Sequence, residues 1–201
     1  MSSVYEISAG FAAIPVEGSK IHAGIGWDPL KGTLTEKILS TADGLFNGVS
    51  AKTMDLNLAA IMKSEKGNEL VFFGKKTDKA ESLHYKKDNR TGGGDGEDER
   101  IDIDLAKVPA DVSEIILFAL IFDGSKDKKS FAMVQNFFVQ VTDTHLHKVL
   151  YRNDTDAYEE EASKHSAYVF AKIQRNGDSW LVVPQHRFSD EDTEQDLMAN
   201  L

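Results

Sequence analysis

The stretch Asp88-Asn89-Arg90-Thr91-Gly92-Gly93-Gly94-Asp95-Gly96-Glu97-Asp98-Glu99 carries five carboxylates, four glycines and no apolar side chain. Such a segment adds nothing to a core and must lie on the surface. The residues leading into it, Ser82-Leu83-His84-Tyr85-Lys86, read as a strand. Those leading out, Arg100-Ile101-Asp102-Ile103-Asp104-Leu105, alternate polar and apolar side chains strictly, the period of a half-buried strand. Loop and flanks together predict a long β-hairpin with an acidic tip. Glycine reaches φ > 0 and turns the chain sharply, so carboxylates and carbonyl oxygens can converge on one point. Two carboxylates about 6 Å apart repel by roughly 3 kcal/mol at an effective dielectric of about 20. Folding this many together calls for a cation, and hard oxygen ligands of mixed kind suit calcium. A solvated acidic loop is the alternative that the composition leaves open.

Familiar phosphate and calcium templates fit poorly. An EF-hand loop aligned at Asp95 puts Glu97 and Glu99 at its third and fifth positions. Arg100 then stands where the turn glycine is required, and Ala106 where the bidentate glutamate belongs. A β-helix calcium repeat occurs in arrays, whereas Gly92-Gly93-Gly94-Asp95 occurs once. No Gly-Lys-Ser/Thr follows, so a P-loop is excluded.

With 201 residues the chain can bury a sizeable core. Its net charge of −10 and pI near 5.0 argue against general nucleic-acid binding, which needs a basic face. There is no cysteine, so disulfides and thiolate metal sites are excluded. Met1-Ser2-Ser3-Val4-Tyr5-Glu6 lacks the basic start and apolar core of a signal peptide. The longest apolar run, residues 115–122, is too short to span a bilayer. A soluble, cytoplasmic protein is expected.

Residues 7–16 are apolar enough for an edge strand or an extended arm. Lys20-Ile21-His22-Ala23-Gly24-Ile25-Gly26-Trp27-Asp28 reads as a strand, and Pro29 takes the chain out of the sheet. Asp28 thus sits at a strand end. Thr33-Leu34-Thr35-Glu36 has capping-box spacing, and Leu34, Ile38, Leu39, Ala42 and Leu45 follow at helical intervals. From Ser50 onward the period changes to two, placing Asp55 and Asn57 on one strand face, roughly 7 Å apart. Two oxygen-bearing side chains at that spacing can share a cation. Further strands are predicted at residues 70–73, 114–123 (the most apolar, hence central), 132–141, 146–152 and 166–174. Asn176-Gly177 predicts a hairpin into Trp180-Leu181-Val182-Val183. Many short strands with almost no helix predict an all-β fold, a β-sandwich of two antiparallel-rich sheets. We read one domain over residues 1–188, with an inserted helix or loop at 29–50. Residues 189–201 read as an acidic, mobile tail.

These elements resemble the TerD-like proteins of tellurium resistance and general stress response. The likeness rests on Gly24-Ile25-Gly26-Trp27-Asp28, Met54-Asp55-Leu56-Asn57, and the acidic loop from Asp88-Asn89-Arg90-Thr91-Gly92 to Gly96-Glu97-Asp98-Glu99. Ile103-Asp104-Leu105 with Val108-Pro109, Ile121-Phe122-Asp123 and Arg175-Asn176-Gly177 before Trp180 extend it in the same order. The resemblance implies a sandwich binding calcium, as two ions, in clustered sites at one end of the sheets. On matching positions the implied ligands are Asp28, Asp55, Asp88, Asn89, Asp95, Asp98 and Glu99. The strand-face reading adds Asn57, where the family usually has aspartate, and the acidic loop adds Glu97. It also implies partners among other Ter-type stress proteins, in a complex at the inner face of the cytoplasmic membrane, and no enzyme.

Two other readings compete with a calcium-dependent scaffold. In one, bound calcium bridges a C2-like domain to anionic lipid. The only cations beside the loop that the sequence offers for this are Lys86, Lys87 and Arg90. In the other the protein is an enzyme. His145 and His147 have the spacing of two zinc ligands on one strand face, although solvent-facing strand histidines have the same spacing. No nucleophile stands near a base in the local sequence. No small-molecule substrate and no nucleic acid are implied.

Overall fold

Twelve strands form among the residues that the computed structural model describes, which are 5–6, 12–29, 54–92, 96–124, 126–154 and 159–200. In chain order they are β1 (Tyr5–Glu6), β2 (Ile14–Val16), β3 (Lys20–Pro29), β4 (Leu56–Ser64), β5 (Glu69–Val71) and β6 (Leu83–Lys87). β7 (Glu99–Asp104), β8 (Val112–Ile121), β9 (Val134–Asp143), β10 (Lys148–Asp154), β11 (Ala167–Asn176) and β12 (Ser179–Ser189) follow. Two short α-helices, α1 (Glu159–Ala162) and α2 (Glu194–Ala199), and a single-turn 3-10 helix at Phe131–Met133 complete the set among the described residues. The helix predicted at residues 34–45 lies outside the described residues, as does Asp95.

Every pairing is antiparallel, and the strands divide into two sheets. One runs β1-β12-β11-β8-β4-β5, with β2 also paired to β12; the other runs β10-β9-β3-β7-β6. Their facing sides interleave Ile21, Ile25, Leu56, Leu58, Ile101, Ile103, Leu117, Val139, Tyr168 and Phe170 into the main core. This is the expected β-sandwich.

β8 lies between β11 and β4, the central place its apolar run predicts. It lacks alternation because both of its faces are covered. Ile115, Leu117 and Ala119 enter the main core, whereas Ile116, Phe118 and Leu120 face outward into a second apolar cluster with Ala59, Ile61 and Val169. Leu197 of α2 belongs to that outer cluster and is fully buried. The segment after Phe188, which the acidic composition suggested was mobile, thus ends in a docked helix. Thr193 caps it, its hydroxyl accepting from the Asp196 amide at 3.1 Å.

Candidate metal centre

The predicted hairpin forms from β6 and β7, paired from Leu83↔Ile103 to Tyr85↔Ile101 and, after a one-residue register shift, at Lys87↔Arg100. Its tip is held against the end of β3. Trp27 is the anchor: its indole Nε1 donates to the Met54 carbonyl at 3.1 Å, joining the end of β3 to the start of β4. The Trp27 amide donates to Asp98 Oδ2 at 2.9 Å, and the Asp98 amide donates to the Ile25 carbonyl at 2.7 Å. Asp98 Oδ1 accepts from Asn89 Nδ2 at 2.6 Å, while Asn89 Oδ1 accepts from the Thr91 amide and hydroxyl. Asp98 therefore spends both oxygens fastening the tip, which charge counting alone did not reveal.

Inside this frame stands Glu99, fully buried on the core-facing side of β7. The Leu58 amide of β4 donates to its Oε2, while Oε1 is buried with no hydrogen-bond partner. Burial raises its pKa to about 9; the Leu58 amide and the neighbouring Tyr85 hydroxyl oppose the rise, and Asp88 and Asp55 add to it. Asp55 is likewise raised, first by burial and then by Asp88, with Arg90 and Lys129 pulling the other way. Asp55 Oδ1 is also buried and unpartnered. The Tyr85 hydroxyl is near enough to feel Glu99, which with burial pushes its pKa far up, yet it has no hydrogen bond of ordinary geometry. Three carboxyl groups, just before β4, just after β6 and at the start of β7, thus disfavour one another's ionisation, and Asp55 and Glu99 each keep one buried oxygen without a hydrogen-bond partner. Carboxylate oxygens are the donor type that a hard cation takes.

Not every predicted residue joins them. Glu97 turns to the outer face of the smaller sheet, where its Oε1 accepts from Gln140 Nε2 at 2.7 Å and meets His22 Nε2 at 2.9 Å. Burial would raise its pKa, but those two hydrogen bonds bring it below the usual value. Gly24 leaves the room for it: a β-carbon there would lie 2.1 Å from Glu97 Oε1. Asn57 also faces away. Leu56 and Leu58 enter the main core, so Asn57 points to the outer side of its sheet and donates to Glu194 Oε1 of α2 at 3.1 Å. Asp28 sits at the end of β3 and accepts from Asn136 Nδ2 at 2.7 Å. Among the described residues no group of three or more Asp, Glu or His side chains is placed so that it could hold a metal ion. Tyr85, Lys129 and the backbone of Leu58 were missed by sequence reasoning, since nothing in their own spacing marks them.

The chain belongs to the TerD domain family, whose profile matches residues 14–185. Stress response protein SCP2 of Bacillus subtilis (strain 168) is 31% identical over 170 residues, covering 81% of this chain and 79% of that one. Tellurium resistance protein TerZ of Serratia marcescens is 30% identical over 162 residues, covering 81% and 76%. A homologue of telluride resistance protein (TerD) from Streptomyces coelicolor A3(2) superposes with a TM-score of 0.65 at 20% identity, covering 87% and 92%. That likeness carries the fold.

Proposed function

We propose that the protein is a calcium-binding member of this tellurium-resistance and stress-response family, acting as a calcium-dependent scaffold and not as an enzyme. The observation that carries this reading is Glu99: a fully buried carboxylate with one unpartnered oxygen, facing the charges of Asp55 and Asp88. Glu99, Asp55 and Asp88 would hold the ion, with Tyr85 beside them and Asp98 and Asn89 fixing the loop. Calcium would supply the positive charge that these carboxylates lack, and so order the hairpin tip. Ordering a segment by an ion presents a surface conditionally, which is how a binding module is switched. Other Ter-type stress proteins are the partners we assign to that surface, inside the cell at the cytoplasmic membrane. No described helix is long and apolar enough to cross a membrane, so this reading makes any membrane association peripheral. Calorimetric titration of chelator-treated protein with calcium tests it: saturable binding, weakened at least tenfold by Glu99→Gln, is expected. No binding at millimolar calcium would overturn it.

A further inference from the structure

We propose that the outer face of the smaller sheet carries a binding site for a small phosphorylated sugar, one that needs no metal ion. The site lies over β3, β7 and β6. Ile101 and Ile103 enter the main core, so Arg100, Asp102 and Asp104 face outward from β7. His84 stands outward on β6 between buried Leu83 and Tyr85. With Lys20, Lys86 and Lys107, these side chains line a groove of about 330 Å³. That is the small end of the range for small-molecule sites, about 300–1,000 Å³. Antiparallel pairing sets Lys20 opposite Asp104 and His84 opposite Asp102, which fixes the spacing of the groove floor.

The chain has a net charge of −10, yet the four cations of this groove outnumber its two carboxylates. Both carboxylates are engaged: Arg100 Nε donates to Asp102 Oδ1 at 2.6 Å, and Lys20 Nζ lies 4.0 Å from Asp104 Oδ2. Lys86 and Lys107 are exposed and have no ion pair among the described residues. Each ammonium group offers three donors to phosphate oxygens, and a recess with an excess of one charge focuses its field on an incoming ion. The two lysines stand at opposite ends. Lys86 adjoins Lys87, which pairs with Arg100, while the Lys107 amide donates to the Asp104 carbonyl at 3.0 Å. Arg100 and Asp104 are four residues apart on one strand, a span of about 13 Å. Between them the groove offers acceptors. Asp102 and Asp104 would repel phosphate but accept from hydroxyls. The Thr144 hydroxyl, also on the groove, donates to the Lys20 carbonyl at 2.8 Å and keeps its lone pairs for an incoming donor. His84 Nε2 meets the Glu81 carbonyl at 3.0 Å, so that nitrogen carries the hydrogen and Nδ1 is an acceptor. Cationic ends and an acceptor-lined middle match a polyol with a phosphate at each end.

Calorimetric titration of the full-length protein in EDTA with fructose 1,6-bisphosphate, fructose and inorganic phosphate tests the proposal, beside sedimentation with phosphatidylglycerol vesicles. Saturable, submillimolar binding of the bisphosphate is expected, at least tenfold tighter than that of either other probe. Lys86→Gln/Lys107→Gln should weaken it at least tenfold. The control Lys126→Gln/Lys128→Gln, at two exposed lysines outside the groove, should stay within twofold of the unaltered protein. Both double variants should keep its melting temperature. No bisphosphate binding at millimolar concentration would overturn the inference, as would equal affinity for inorganic phosphate or full affinity in Lys86→Gln/Lys107→Gln. Binding confined to the vesicles would overturn the small-molecule assignment. Calcium is absent throughout, so this experiment and the calcium titration above fail separately.

Discussion

A β-carbon at Gly92 would sit 2.3 Å from Nε1 of Trp27, the same atom that reaches the Met54 carbonyl. The backbone of Gly92 is also at φ +62, a conformation that other residues enter at a cost. Gly92→Ala should therefore push the hairpin tip off the indole. We expect a loss of about 1–3 kcal/mol of stability in urea unfolding and weaker calcium binding. Unchanged values of both would mean that the contact does not position the tip.

Glu99 makes stability depend on pH in an unusual direction. Folding raises its pKa from 4.5 to about 9, so the folded state holds a proton that the unfolded chain releases. Its contribution is present below pH 4.5 and is lost as pH climbs toward about 9. The slope from this one group is at most about 1.4 kcal/mol per pH unit. In EDTA, Glu99→Gln should flatten the fall in stability between those limits. Identical pH profiles for the two proteins would show that Glu99 is ionised throughout.

Calcium binding at neutral pH should release a proton from the same carboxyl. Titrations in buffers of different ionisation enthalpy are expected to differ in observed heat for the unaltered protein and to agree for Glu99→Gln. Equal heats for both would place the displaced proton elsewhere.

Glu97 and Glu99 are two residues apart and face opposite sides of β7's sheet, so charge-neutral variants separate clamp from ligand. Glu97→Gln should leave calcium affinity within about twofold and lower stability by about 1–2 kcal/mol through its bonds to His22 and Gln140. A tenfold loss of calcium affinity in Glu97→Gln would reverse the assignment.

Asn57→Asp restores the residue that the family resemblance favours, yet here it would set a carboxylate against Glu194. Burial already raises the Glu194 pKa, and the Asn57 amide is among the groups opposing that rise. Replacing this donor should cost about 1–3 kcal/mol and loosen α2, seen as faster hydrogen exchange at Leu197. Tighter calcium binding with α2 undisturbed would return Asn57 to the metal centre.

The strands and the β-sandwich class were legible because alternation reports burial directly, and the unbroken apolar run of β8 reported a central strand; which strand joins which sheet was not. The hairpin was legible because the acidic tip had nowhere else to go. The direction of individual polar side chains was not. Period two places Asp55 and Asn57 on one side of a regular strand. However, Asp55 precedes β4, beyond the regular pleat, and only Asn57 follows the outward side. The docking of α2 was hidden for a related reason: its burial depends on Leu197 and on Glu194, which is 2% exposed despite its charge. A hydrogen bond from Asn57, 137 residues away, makes that burial tolerable.

Glu99 reaches its Leu58 donor across 41 residues, and Asp98 reaches Trp27 across 71. Loop closures of that length must be completed before any reward from the ion, so they fall late in assembly. An extended chain offers calcium only scattered carboxylates. A bound ion would therefore act on the finished sandwich, slowing its unfolding while leaving the rate of its formation nearly unchanged. For a protein of a stress-response family, calcium would set how long each folded copy lasts.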